Sequence, residues 1–296
     1  MTDQLVIIGP GRMGLALGAA LHRADVAEHV TYHGRSLDPP PHPLFDSPDL
    51  DAAEPAPASY RIGPLPPPAG TNILILAVTD SALAEVAWET ARMGPAPPGC
   101  VVLHLSGVLS NDVLAPLHSA GYATGSLHPL MTIADPWQSF DRLFGAFYAV
   151  AGEPAALRTA QRLVDALDGR ALIIPPVLRP LYHAAAVSAS NHLVALFAHA
   201  VRILEGAGVS ADEAPPALLP LVRATLDNIE QLGIANALTG PIARGDADTV
   251  RLHVARLSPE DRALYCALGL ETLRIARAAG LDEERALAIE SLLGNR

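Results

Sequence analysis

The sequence predicts an α/β protein in two parts: a doubly wound, mostly parallel sheet over residues 1–175, then an all-α part over residues 176–296. Three observations carry this. A short aliphatic run at the N-terminus meets a glycine-rich turn and then an Ala/Leu-rich helical pattern. Strand and helix patterns alternate from there to about residue 175, which is the signature of parallel strands joined by helical crossovers. After Pro175-Pro176 only helical periodicity remains.

The first strand, Leu5–Ile8, is β-branched and aliphatic, as a strand buried on both faces requires. Gly9, Gly11 and Gly14 follow in Gly-x-Gly-x-x-Gly order, with Arg12 and Met13 between the last two. In a strand–turn–helix setting the first glycine permits the tight turn. The second lets a pyrophosphate approach the backbone, and the third lets the helix pack on the strand. The helix N-terminus adds free N–H groups and a positive dipole end. The stretch reads as the dinucleotide-binding turn of a Rossmann domain, against the plainer alternative of a structural glycine turn.

The second strand, residues 29–33, leads into Gly34-Arg35-Ser36. An NAD-binding chain places an acid there for the ribose 2′-hydroxyl, and no acid occurs before Asp38. A guanidinium and a hydroxyl suit a 2′-phosphate instead, so the expected cofactor is NADP. A solvated Arg35 is the alternative.

Between residues 37 and 68 lie eleven prolines, an irregular loop with at most a short third strand near 59–62. Residues 72–78 form the clearest buried strand, ending at Val78-Thr79-Asp80 and capping a helix over 82–92. Val78 and Thr79 are expected against the cofactor, because ligands lie at the carboxyl ends of such strands. Further strands are expected at 100–105, 122–127, 146–151 and 171–174, with helices at 111–119 and 154–167. The helical part reads as 180–206, 212–232, 246–256, 259–280 and 282–293.

Three places concentrate polar residues that packing does not demand. The strand ends His104-Leu-Ser106-Gly107 and Ser126-Leu-His128-Pro129 open on the crevice side. His128 is a candidate general acid or base, or a histidine bonding its own turn. Tyr182, His183 and Asn191 lie on the helix that opens the second part, with three alanines that allow close approach. Arg244 precedes Asp246, a candidate N-cap, and Thr249, so Arg244 and Thr249 form a candidate anion pocket or a merely capped turn.

A net charge of −11 argues against nucleic acid and against anionic membranes. All 20 basic residues are arginine, which removes any lysine acid or Schiff base. Cys100 and Cys266 have no metal or disulfide spacing, so no metal is expected. The N-terminus enters a strand directly and no run approaches 18 apolar residues, so a cytoplasmic chain without a membrane span is expected.

Together the residues Gly9-x-Gly-x-x-Gly14, His104-x-Ser-Gly107, His128-Pro129, Tyr182-His183-Ala-Ala-Ala with Asn191, and Ala237-Leu-Thr-Gly-Pro-Ile-Ala-Arg-Gly-Asp246 resemble the 6-phosphogluconate dehydrogenase-like superfamily. That group includes ketopantoate reductase, prephenate dehydrogenase and pyrroline-5-carboxylate reductase. In particular the chain resembles bacterial proteins that join a Rossmann-like domain to a C-terminal domain of unknown function numbered 2520, often described as NADP- or coenzyme F420-dependent oxidoreductases. The resemblance implies hydride transfer between NADP and a small, anionic substrate in a cleft between the two parts. Within it His128 or His183 handles the proton, Ser106 and Asn191 orient the reacting oxygen, and Tyr182, Arg244 and Thr249 hold the substrate. Several relatives place a helix lysine four residues before the asparagine; here that position is Val187, and His183 is the replacement one turn earlier. The alternatives are a non-catalytic NADP-binding sensor and an NADP:deazaflavin oxidoreductase. The broad Ala/Leu faces of 259–280 and 282–293 point to a homodimer formed through the helical part.

Overall fold

The computed structural model describes residues 3–46, 56–63 and 66–294. Eight strands form one sheet in the order β3-β2-β1-β4-β5-β6-β7-β8. The strands are β1 (Leu5–Ile8), β2 (Val30–Gly34), β3 (Ala58–Ile62), β4 (Ile73–Leu76), β5 (Val101–His104), β6 (Ala123–Pro129), β7 (Phe147–Gly152) and β8 (Arg170–Ile173). All neighbours pair in parallel except β6 and β7. The strand order reverses between β1 and β4, and that switch opens a crevice at the carboxyl edge, as doubly wound sheets require.

Burial follows the sequence pattern. β4 and β5 are buried at every residue, which only continuous apolar runs tolerate. On one face α1 (Arg12–Arg23) and α4 (Pro154–Ala166) cover a core that includes Ile7, Leu17, Tyr32, Ile75, Leu103 and Leu163. On the other, α2 (Asp80–Arg92) and the short α3 (Ala115–Ser119) cover Val6, Leu74, Leu76, Leu83, Val102 and Leu117. The expected third strand is present as β3. Much of the proline-rich loop, residues 47–55 and 64–65, lies outside the described residues.

The chain divides by packing into Met1–Ser190 and Asn191–Arg296. The sheet unit therefore includes α5 (Arg179–Ala189). The single helix expected over 180–206 is two, α5 and α6 (Asn191–Gly206), with Ser190 as the C-cap of α5 at φ −113°, ψ −72°. Two residues earlier, Ser188 Oγ donates to the Ala184 carbonyl at 2.8 Å, a back-bond that competes with regular helix.

The helical unit continues with α7 (Ala214–Ala237), kinked at Gly233 (φ +74°), the one-turn α8 (Pro241–Arg244), α9 (Ala247–Arg256), α10 (Pro259–Ala278) and α11 (Glu283–Gly294). Its core gathers Ile242, Val250, Leu273, Ala276, Ala286, Ile289 and Leu293. The stretch Pro176–Gly206, at mean hydropathy 1.3, is long and apolar enough to cross a membrane, contrary to the run-length reading. Its first turn is nevertheless tied to the sheet by Arg179, whose guanidinium donates to Ser126 and Ser106.

Candidate active site

The glycine turn has the shape an anion needs. Gly9 sits at φ +105°, and a Cβ there would lie 2.5 Å from the Ala77 carbonyl and 3.0 Å from Val78 Cγ1. A Cβ on Gly14 would strike the Gly9 carbonyl, so the helix packs as closely as the backbone permits. Gly11 is different: a Cβ there would meet nothing within 4 Å, leaving open space over the helix end. Gly11 caps α1 in an extended conformation, with no side-chain cap and no acid in the first turn. The N–H groups of that first turn, beginning with the exposed Arg12 and half-buried Met13, stay free for a ligand.

Arg35 and Ser36 stand exposed after β2. Tyr60 on β3 holds their turn by donating to the Ser36 carbonyl at 2.9 Å, and it packs where a Cβ on Gly34 would be. Val78 lies against the glycine turn, while Thr79 caps α2 and exchanges a 3.2 Å hydrogen bond with Ser81.

At the ends of β5 and β6 the polar residues converge. β6 carries Ser126 and His128 on alternate positions, and α5 presents Arg179, Tyr182 and His183 on one face by i, i+3, i+4 spacing. His128 Nδ1 and Tyr182 Oη are 2.7 Å apart. A Cβ placed on Gly107 would lie 2.6 Å from His183 Nδ1 and 2.8 Å from His128 Nε2, so two imidazole nitrogens pack directly over the Gly107 Cα, as only glycine allows. His183 Nδ1 is buried and has no hydrogen-bond partner.

The electrostatics of this cluster are unusual. Arg179 is 0 % exposed. It donates to Ser126 Oγ at 3.0 Å and to the Ser106 carbonyl at 2.5 Å, with no carboxylate bonded to it among the described residues. Burial, then His183 and Arg179, push His128 down to about 4. Burial and Arg179 push His104 down to about 3. Burial raises Tyr182 to about 12 against the pull of Arg179. At neutral pH both histidines are uncharged. Ser106 Oγ accepts from the N–H groups of Val108 and Leu109 at 3.3 and 3.0 Å, so its acceptor side serves its own turn.

A family model for a Rossmann-like domain matches residues 3–129, and one for a Domain of unknown function (DUF2520) matches residues 146–272. The chain joins a Rossmann-like domain to a DUF2520 domain. No curated protein matches it in sequence. Among solved structures, it is similar to a Bacteroides fragilis protein described as a candidate NADP oxidoreductase, at 19% identity and TM-score 0.66, over 94% of this chain and 98% of that one. It is also similar to Plasmodium falciparum pyrroline carboxylate reductase, solved with NADP bound, at 11% identity and TM-score 0.58, over 98% of each chain. A third is an Aspergillus terreus reductive aminase in complex with NADPH and ethyl levulinate, at 21% identity and TM-score 0.59, over 99% of each chain. At these identities the likeness establishes the fold.

Within the DUF2520 match, the remaining expected residues are placed as follows. Asn191 is exposed at the start of α6, in the helical unit. Asp246 caps α9 as expected, accepting the Thr249 N–H at 3.0 Å and the Thr249 hydroxyl at 2.7 Å. Those bonds hold the Asp246 carboxyl below its ordinary range. The Thr249 hydroxyl is thus engaged by the cap. Arg244 is exposed at the end of α8, its carbonyl receiving Arg285 at 3.3 Å and its guanidinium making no ion pair among the described residues. Two residues were not read from the sequence. Tyr60 gave no signal beyond a strand aromatic. Arg179 carries no local signal, because nothing in its neighbourhood tells that its partners lie 53 and 73 positions away.

Proposed function

We propose that the protein is an NADP-dependent oxidoreductase whose chemistry takes place at the His128–Tyr182–His183 cluster. The observation that carries this reading is the pair of imidazole nitrogens closing on Gly107, on the same carboxyl edge of the sheet as the open glycine turn. The first turn of α1, with Gly9, Gly11 and Gly14, holds the pyrophosphate. Arg35 and Ser36 take the 2′-phosphate, and Val78 and Thr79 line the wall of the crevice. Bound NADPH supplies the hydride.

The chain's own residues manage the proton. With Tyr182 donating to His128 Nδ1, the neutral imidazole carries its proton on Nε2, beside Gly107. As the substrate carbon is reduced, Nε2 gives that proton to the substrate heteroatom and Nδ1 takes the Tyr182 proton. The resulting phenolate lies in the field of Arg179 and regains a proton from water. Oxidation runs the same transfers in reverse. His183 Nδ1, beside the same point of Gly107, orients the substrate. Within the helical unit itself, Arg244 presents an exposed guanidinium suited to an anionic group, and Asn191 an exposed polar side chain.

Self-association through the helical unit belongs to the same reading. It is supported by exposed apolar side chains on α6 and α7, among them Val194 at 69%, Leu221 at 64% and Ile234 at 66%. A sedimentation mass of two chains checks it, and a monomer at all concentrations contradicts it.

The cofactor assignment is tested by titration. Arg35→Ala weakens NADPH binding by about 1.5–3 kcal/mol, the scale of a charge-assisted hydrogen bond, and leaves NADH nearly unchanged. Equal losses for both nucleotides would contradict a 2′-phosphate site.

A further inference from the structure

The reduced bond can be C=O or C=N, and the cluster distinguishes them. Gly107 is buried, and its backbone N–H donates to nothing among the described residues. Buried N–H groups are rarely left without a partner, so this one marks a place where a ligand acceptor belongs. The same peptide unit carries the Ser106 carbonyl, to which Arg179 donates at 2.5 Å. A guanidinium on the carbonyl end polarises the peptide and strengthens the N–H at its other end. Beside the Cα of the same glycine stand His128 Nε2 and His183 Nδ1.

Arg179 itself has no structural excuse. A buried guanidinium without a carboxylate costs more than an apolar side chain of similar volume in the same place. Its third nitrogen, Nε, has no partner. Among the described residues, the carboxylate whose charge acts on it is the exposed Asp80 at the start of α2. A fixed positive charge of this kind favours negative charge developing nearby and disfavours a cation.

Resting on the oxidoreductase reading, we propose that the Ser106–Gly107 peptide, backed by the positioning residue Arg179, is an oxyanion site, and that the substrate is a carbonyl compound or its alcohol rather than an imine. In carbonyl reduction the carbon gains the hydride. The C=O π pair moves onto oxygen, and that oxygen takes the His128 Nε2 proton, so negative charge builds where Gly107 N–H and Arg179 stabilise it. Imine reduction instead passes through an iminium cation, which this site repels.

The test uses the full-length, 15N-labelled protein, with and without saturating NADPH, titrated with isobutyramide as a neutral carbonyl and with pyrrolidinium as a cation of imine shape. The expected result is that isobutyramide moves the Gly107 amide resonance and pyrrolidinium does not. Arg179→Gln then weakens isobutyramide about tenfold, the worth of one hydrogen bond. Gly107→Ala, whose methyl displaces the two imidazole nitrogens it would meet at 2.6 and 2.8 Å, abolishes the response even if Arg179→Gln fails to fold. In turnover, Arg179→Gln lowers kcat for carbonyl reduction by about 10²–10³, with KM for NADPH unchanged, the scale for a lost oxyanion contact. A Gly107 amide that moves with pyrrolidinium as strongly, or with neither probe, overturns the oxyanion site. Faster reduction of imines than of carbonyls overturns the substrate class and leaves the oxidoreductase reading standing. Failure to bind NADPH refutes that reading by itself, and the titration without nucleotide still decides on Gly107.

Discussion

The strand-end cluster and the α8–α9 turn both look like polar sites in the sequence, yet they are built oppositely. At the turn, the side-chain bonds of the cap close within three residues: Asp246 takes both donors of Thr249 and is satisfied. At the strand ends, Arg179, Ser126, His128, Tyr182 and His183 meet from distant parts of the chain and leave His183 Nδ1, Arg179 Nε and the Gly107 N–H without partners. Local satisfaction produces a cap. Long-range convergence with groups left over is what the proposed ligand site rests on.

Mutation should separate the two. His128→Ala and His183→Ala each reduce turnover by about 10²–10⁴-fold, the range for a lost acid or base, while NADPH affinity stays at the wild-type value. Two variants with full activity would return the cluster to a packing role.

Acid should separate them as well. His104 and His128 have folded pKa values below the ordinary 6.5, so folding is favoured while they stay neutral. That contribution is fully present above about pH 6.5 and is lost as pH falls toward 4, because the unfolded chain takes up protons the folded one refuses. His128 alone accounts for roughly 3 kcal/mol. The carboxyls of Asp246 and Asp261 are depressed, so what they contribute persists until lower pH. Trp88 and Trp137 are the chain's two tryptophans, and both lie in the sheet unit, so tryptophan fluorescence reports that unit selectively. Denaturation at pH 7.5 and 4.5 should show the sheet unit weakening first; simultaneous weakening of both units contradicts the assignment.

The smallest effect belongs to the turn. Asp246→Ala costs the helical unit about 1 kcal/mol, the usual worth of an N-cap, and leaves NADPH affinity untouched. A changed NADPH affinity would mean that the cap does more than close a helix.

What could be read from the sequence follows the same division. The glycine turn, the strand alternation and the Asp246 cap are local patterns, and each stands where its residues put it. His128 and His183 were legible as candidates because histidines at a strand end and on a helix face are conspicuous. Their meeting at Gly107 was not legible, because it depends on β5, β6 and α5 arriving together. Arg179 was invisible for the same reason. The break at Ser190 was also missed, since alanine-rich periodicity runs straight through it while the Ser188 back-bond does not show in the pattern.

The central claim is that chemistry occurs beside Gly107, and the most direct measurement is an NOE from the nicotinamide H4 of bound NADP to the protein. The account predicts cross-peaks to the Gly107 α protons and the His128 ring. Cross-peaks confined to other residues, with none at Gly107 or His128, would contradict it.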